Sequence, residues 1–294
     1  MSVEVRKPRL DEAAALEALL TEYSAGVGGG AEVSEQELRN WLRVSELLVR
    51  VAARDGRLSG YLDVVSGDGA HVADMRALDR ESADALIAVV EESAADARGA
   101  VLRGYVHSGD SLARAAYEAA GWQVVRHSFE MQVELDGRLP TADWPDGLTV
   151  RAYREGEGER VHAAVEDAFA DHWEHRPRSF EHWRGFALDR DDFDPSLWLL
   201  VEDDDELAGF SLNQWHFSGD PRYGWIGSLG VRPRWRRRGL ATALLRHSFR
   251  DFRDRGATRV GLGVDAENTT GAVRLYERVG MHPVRRDDTY GKRL

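Results

Sequence analysis

One run of the 294-residue chain holds residue types that could bind a polyanion: Leu229-Gly230-Val231-Arg232-Pro233-Arg234-Trp235-Arg236-Arg237-Arg238-Gly239-Leu240-Ala241-Thr242-Ala243. It reads as a strand end, a basic loop begun by Pro233, and a helix carried by Leu240, Leu244, Leu245, Phe249 and Phe252 and closed by Gly256. The first N–H groups of a helix lack helical partners and carry partial positive charge. Gly239 and Ala241 put no bulk over those donors, and Arg236, Arg237 and Arg238 add cations, so the run forms an anion cradle that a pyrophosphate would fit. Downstream, the stretch Asn268 to Tyr276 ends on a phenol, a group that can give up a proton.

Arg236-x-x-Gly239-x-Ala241 after a Val-ended strand resembles the acyl-CoA signature of the GCN5-related N-acetyltransferase (GNAT) family, Gln/Arg-x-x-Gly-x-Gly/Ala. Residues Asn268 to Met281 resemble the family's second block: an Asn, a short helix, a Tyr, then Gly and an apolar residue. The resemblance implies acetyl-CoA as co-substrate, held by Leu229, Gly230, Val231, Arg236, Arg237, Arg238, Gly239, Leu240, Ala241, Thr242, Asn268, Gly271 and Arg274. It further implies direct acetyl transfer to an amine in a ternary complex, backbone N–H groups of a bulged strand near Leu229 to Val231 for the oxyanion, and Tyr276 as general acid toward the leaving thiolate. Taken on spacing alone, Tyr276 falls in helical phase with Ala272, Leu275 and Val279 and suits a core aromatic as well, and Asn268 suits a helix cap.

The elements that must position these residues occur twice. Val5-Arg6 before a helical run returns as Val150-Arg151, the turn Arg54 to Tyr61 returns as Asp203 to Phe210, and Ala113 to Trp122 returns as Ala272 to Met281. Strands alternate with helices late in each copy, which predicts an α/β protein with helices on both faces of mixed sheets. With the family resemblance, this becomes tandem GNAT folds, each a mixed, mostly antiparallel sheet flanked by helices. The expected division is a degenerate N-terminal domain over 1–137, a linker over 138–147 and a catalytic domain over 148–294. The first copy is ten residues shorter between its Gly60 turn and Tyr117 than the second is between Gly209 and Tyr276, and Asp79 and Glu81 stand where phosphate donors should be.

A net charge of −12 argues against a nucleic-acid partner, whatever the local basicity of Arg232 to Arg238. An acidic body with one basic loop suits a polyanionic co-substrate and a cationic or neutral acceptor, and also simple solubility. No apolar run approaches the length of a membrane span and no signal-peptide core opens the chain, so a cytoplasmic monomer or homodimer without membrane contact is expected. Zero cysteines exclude disulfides, thiolate metal sites and a Cys nucleophile. His172-x-x-His175 with Asp171 and Glu174 lacks a third firm ligand at a familiar spacing, so no metal is expected.

Transfer to an amine needs that amine neutral, hence a base. Among tandem members of the family the plan resembles the mycothiol synthases, whose base is a carboxylate on the strand before the cradle. Here that strand reads Tyr223-Gly224-Trp225-Ile226-Gly227-Ser228-Leu229, with none. Asp167, Asp171, His172, Glu174 and His175, with Trp225, are the remaining candidates to face the acceptor, against the plain reading of a solvated helix end. Trp173, Trp183, Trp215 and His216 suit an aromatic pocket or a sheet core. Hydrolase elbows, Walker loops and His-Glu-x-x-His helices are missing from the sequence. Two classes remain: an acetyl-CoA-dependent N-acetyltransferase acting on a small amine, the amine of a cysteinyl sugar included, and a non-catalytic acyl-CoA-binding or regulatory module.

Overall fold

The same ion pair opens both copies. Arg6, ending the first strand, grips Glu12 through two hydrogen bonds of 2.9 and 2.7 Å, and Glu12 also accepts the Arg9 N–H. Arg151 grips Glu157 in the same way, and Glu157 accepts the Arg154 N–H at 2.9 Å. A planar guanidinium matches a carboxylate in two points at once, so each pair fixes the angle at which chain leaves strand for helix. The computed structural model describes every residue except 1–2, 28–32, 44–46, 68–69, 96–98, 174, 176 and 269.

The elements run β1 (Glu4–Arg6), α1 (Ala13–Gly26), α2 (Glu35–Arg43), β2 (Leu47–Arg54), β3 (Arg57–Gly67), β4 (Ala70–Ala77), α3 (Arg80–Ser93), β5 (Val101–His107), α4 (Ser111–Ala119) and β6 (Gln123–Glu134). Then come β7 (Leu148–Ala152), α5 (Gly158–Phe169), α6 (Phe180–Ala187), β8 (Trp198–Asp203), β9 (Glu206–Trp215), β10 (Tyr223–Val231), α7 (Leu240–Asp254), β11 (Arg259–Asp265), α8 (Ala272–Arg278) and β12 (His282–Arg293). No helix among the described residues is long and apolar enough to cross a membrane.

Contacts divide the chain into two units, one of residues 1–129, 217–219 and 285–294, the other of 130–216 and 220–284. In the first, strand order is β1-β2-β3-β4-β5-β12, with only β4 and β5 parallel. Side chains alternate across each strand. Tyr61 of β3 therefore joins Leu16, Leu20 and Leu38 of α1 and α2, while Leu62 and Val64 join Leu86, Val90 and Tyr117 of α3 and α4. The last strand of the sequence thus belongs to the N-terminal unit, where the repeat, taken along the chain, ends with the second copy.

In the second unit the order is β11-β10-β9-β8-β7, with the end of β6 beside β11; β10 and β11 are parallel, and β10–β9, β9–β8 and β8–β7 are antiparallel. Trp198 and Leu200 of β8 meet Val161, Ala164 and Trp183 of the α5/α6 layer; Leu199 and Val201 meet Trp235, Leu240 and Leu244 of the α7 layer. Both units turn their long hairpin on an aspartate with positive φ, Asp55 at 54° and Asp204 at 53°, beside a register shift at Ala52/Ala53 and at Val201/Glu202. The duplication extends to these irregularities.

Arg151 also holds Glu202 at 2.7 and 2.9 Å, and Arg160 approaches the same carboxylate at 2.7 Å. Hydrogen bonds from Arg151 pull the Glu202 carboxyl down to about 2, and those from Arg6 do the same for Glu12. Depressed carboxyls bind fewer protons folded than unfolded, so the stability they add is complete above the ordinary value of 4.5 and is lost as pH falls toward 2. Arg151→Ala should lower unfolding free energy by about 1 to 3 kcal/mol at pH 7, the scale for hydrogen bonds to charged groups. The deficit should shrink at pH 3 in urea titrations, where the two abandoned carboxyls begin to protonate; an equal deficit at both pH values would contradict the linkage.

Candidate active site

β10 and β11 pair in parallel over three residues only, Tyr223↔Arg259, Gly224↔Val260 and Trp225↔Gly261. Directly afterwards the β9 register slips between Ile226 and Ser228, which leaves exposed Gly227 as the extra residue of a bulge. A bulge bends its strand and raises its twist, and from there the two parallel strands part. Between them lies a cavity of about 810 Å³, walled by Ile226 to Val231 on one side and Leu262 to Asp265 on the other. Backbone N–H and C=O groups facing this gap have no ladder partner across it and are free to bond an extended amide chain. The bulge falls two residues ahead of Leu229 to Val231, where it was expected.

The cradle forms the mouth of this cavity. Leu240, Leu244, Phe249 and Phe252 are almost wholly buried, each worth about 1.5 to 3 kcal/mol, and this anchors α7 with its start at the cavity. The first hydrogen bond there is Ala243 N–H to the Gly239 carbonyl at 3.1 Å, so the N–H groups of Leu240, Ala241 and Thr242 stay outside the helical ladder. Gly239 takes φ 87°, with open space where a Cβ would stand, and Arg237 takes φ 63°, uncommon for a side chain of its size. Gly230 also lines the cavity, but its lack of a Cβ answers to packing: such an atom would lie 2.2 Å from the Phe210 ring.

The arginines separate into two groups. Arg232 is bound to Asp167 at 2.5 Å, Arg234 to Glu206 at 2.5 Å and Arg236 to Asp171 at 2.9 Å. Arg237 and Arg238 are exposed and, among the described residues, form no ion pair. Of the five arginines in this loop, these two have their charge open to an anion, and Arg237 also lines the cavity.

Gly271, with φ 79°, starts α8 and brings Tyr276 to the cavity wall. Tyr276 is 8% exposed, and burial pushes its hydroxyl up to about 12, so it stays protonated at neutral pH. Asn268 lines the cavity and caps no helix; its Oδ1 accepts the Thr270 N–H at 2.8 Å in an Asx turn. Arg274 points outward, exposed and outside the cavity lining, whereas Arg278, one turn on, lines it. Sequence reasoning passed over Arg278; a glance one turn along the same helix face would have found it.

Of the acceptor-side candidates, His172 reaches the cavity, where it meets the Phe169 ring edge-on at 4.6 Å. Burial lowers its pKa below the ordinary 6.5, helped by the nearby Arg236. Asp171 is occupied by Arg236, and His175 turns to Glu166 at 3.1 Å. Glu174 lies outside the described residues. Trp225 stands against His216 at 5.1 Å and does not line the cavity. Trp183 sits in the α5/α6 core and Trp215 packs on Phe252, so the sheet core claims both.

The profile described as "Acetyltransferase (GNAT) family" matches residues 159–281. A mycothiol acetyltransferase of Salinispora arenicola is 31% identical over 94% of this chain and 92% of its own length, and that of Nocardia farcinica is 30% identical over 96% and 95%. The chain belongs to the GNAT acetyltransferase family. Among solved structures, a GCN5-related N-acetyltransferase from Sphaerobacter thermophilus superposes with a TM-score of 0.80 at 31% identity, covering 99% of this chain and 95% of that one. A tandem GNAT protein from the clavulanic acid biosynthesis pathway superposes at 0.73 with 16% identity, over 99% and 98%, which bears on fold alone. This GNAT enzyme is thus a tandem protein related to mycothiol acetyltransferases, and membership implies acetyl-CoA as its co-substrate.

Two glycine substitutions separate packing from binding. Gly230→Ala should drive Phe210 from its place and lower stability by about 1 to 3 kcal/mol in thermal unfolding. Gly239→Leu should cost only about 1 to 2 kcal/mol of backbone strain, yet lose acetyl-CoA binding in calorimetric titration, because its side chain would stand over the free helix donors. Undiminished affinity in the Leu variant would remove phosphate from the cradle.

Proposed function

We propose that the chain transfers the acetyl group of acetyl-CoA directly to the amine of a small molecule, with the working site wholly in the second unit. The observation that carries this reading is the convergence on one cavity of parted parallel strands, a helix start with two unengaged arginines, and a buried protonated tyrosine. Acetyl-CoA would supply the activated acyl carbon and a thiolate leaving group. The N–H groups at the start of α7, with Arg237 and Arg238, would hold its phosphates. Backbone groups from Gly227 to Val231 would pair with its amide arm and face the developing oxyanion. Tyr276 would give its proton to the departing sulfur; the burial that raises the phenol acts on the thiolate too, whose free form lies near 8.5.

The described residues of the first unit support this placement. β4 and β5 remain paired over five residues, Ala70↔Val101 through Asp74↔Tyr105, and the β3–β4 register has no bulge. At the register positions of Ser228 and Gly230 stand Asp74 and Arg76, bound to each other. Asp79 caps α3 by accepting the Ser82 N–H at 2.9 Å, so a carboxylate already occupies that helix start. Tyr117 is wholly buried, stacked on Tyr290 at 5.4 Å, and among the described residues its hydroxyl has no hydrogen-bond partner.

A second reading is a mycothiol-synthase-like acceptor, the amine of a cysteinyl sugar, favoured by identities of 30 to 31% over almost the whole of two mycothiol acetyltransferases. The lack of a carboxylate in Tyr223 to Leu229 weighs against it. Mass-spectrometric detection of acetylated product across primary amines, a cysteinyl aminosugar among them, decides between the acceptors, and product from none of them would leave a module that binds acetyl-CoA without turnover.

Tyr276→Phe should keep acetyl-CoA affinity and lower kcat by roughly 10² or more, the scale of general acid catalysis; near-parental turnover would return Tyr276 to a packing role. Calorimetry should count one acetyl-CoA per chain, and Tyr117→Phe should leave turnover within a few-fold of the parent. Two equivalent sites would show that the first unit works as well.

A further inference from the structure

Arg236 heads the acyl-CoA signature, yet its guanidinium is already engaged on three sides. Its Nε donates to the Val231 carbonyl at 3.1 Å, one terminal nitrogen to the Ala168 carbonyl at 3.0 Å, and the other to Asp171 Oδ2 at 2.9 Å. Val231 ends β10 and borders the cavity; Ala168 lies in the last turn of α5; Asp171 immediately precedes His172. One planar side chain therefore staples the loop after α5 to the strand that walls the cleft. Within that loop the His172 N–H bonds the Phe169 carbonyl at 2.9 Å and the His175 N–H bonds the His172 carbonyl at 3.0 Å, while His175 is held by Glu166. The imidazole of His172 is what this arrangement presents to the cavity, set edge-on against Phe169.

We propose that His172 is the general base that deprotonates the acceptor amine, and that Arg236 is the positioning residue that holds it over the cleft. The proposal rests on the acetyl-transfer reading above and supplies the base that β10 lacks. An acceptor arriving as an ammonium ion loses one proton to the free imidazole nitrogen of His172, which passes it to water. The neutral nitrogen then forms the C–N bond as the C–S bond breaks. Its second proton leaves as the amide forms and replaces the one that Tyr276 gives to sulfur. Half-burial keeps His172 neutral at pH 7, the state a base requires; Arg236 and His175 push its pKa further down, and Asp265 of β11 and Asp171 push it up.

The opposing charges give a test that loop packing alone would not satisfy. In the full-length protein, the ring of His172 is followed by NMR across pH 4 to 9, with and without acetyl-CoA. Arg236→Gln should raise its pKa and Asp171→Asn should lower it, and the acid limb of kcat/KM for any amine that is turned over should move the same way. His172→Ala should lose roughly 10² or more in kcat, keep acetyl-CoA affinity within a few-fold, and recover part of its rate with added imidazole. Arg236→Gln should likewise bind acetyl-CoA within a few-fold of the parent, whereas replacing Arg237 and Arg238 together by Ala should weaken it tenfold or more. Near-parental turnover of His172→Ala with an unmoved acid limb would overturn the base while leaving acetyl transfer standing. A large loss of acetyl-CoA affinity in Arg236→Gln with an unshifted His172 titration would overturn the staple. A parent that acetylates no amine would overturn both the base and the reading on which it rests.

Discussion

The site depends on two parallel strands that fail to stay together. Each backbone group in a sheet interior demands a partner, so a pair of adjacent strands parts only where something interrupts one of them. Gly227 is that interruption: after three parallel pairs, its extra residue turns β10 away from β11 and opens the cavity. All else of functional weight is hung on that opening. α7 follows from one lip and α8 from the other, so a helix start and a buried phenol are delivered to the same gap by chain connectivity.

The first unit shows the same architecture with the opening closed. Its hairpin turn, neighbouring register shift and entry ion pair repeat those of the second, but β4 carries no bulge and stays paired with β5 over five residues, where β10 and β11 pair over three. An Arg76–Asp74 pair fills the corresponding register, and Tyr117 closes on Gly104, where a Cβ would lie 2.6 Å from its hydroxyl. The inserted Gly227 and the small side chains of Ser228 and Gly230 are thus among the differences between the two units, beside the shorter interval before Tyr117 and the Asp79 cap.

Much of this is legible in the sequence because it is local. Strand and helix periods, the turns, the Gly239 cradle and the Tyr276 helix each follow from neighbours a few positions apart. What stays hidden is partnership across distance. Arg234, Arg236, Arg237 and Arg238 are alike as letters, and only the fold shows that Glu206 and Asp171 claim the first two and leave the others open. Asn268 suited a cap or a ligand and forms an Asx turn, because Gly271 rather than Asn268 starts the helix. The bulge was hidden for another reason: Gly227 is one glycine among three on its strand, and only Gly224 and Gly230 are crowded by aromatic rings, Phe252 and Phe210.

The placement of β12 beside β5 sets the order in which the two units can be completed. β12 runs beside β5, Tyr290 is buried against Tyr117, and Lys292 reaches Glu91 at 2.8 Å, so a unit built mainly of residues 1–129 is completed by residues 285–294, which follow the second unit in sequence. Until residues 285–294 emerge, β5 is an open edge with unpaired backbone donors and acceptors, the kind of surface that recruits strands from other chains. The cradle and Tyr276 all precede this segment, so the residues of the cleft can be in place while the sheet of the other unit still lacks β12.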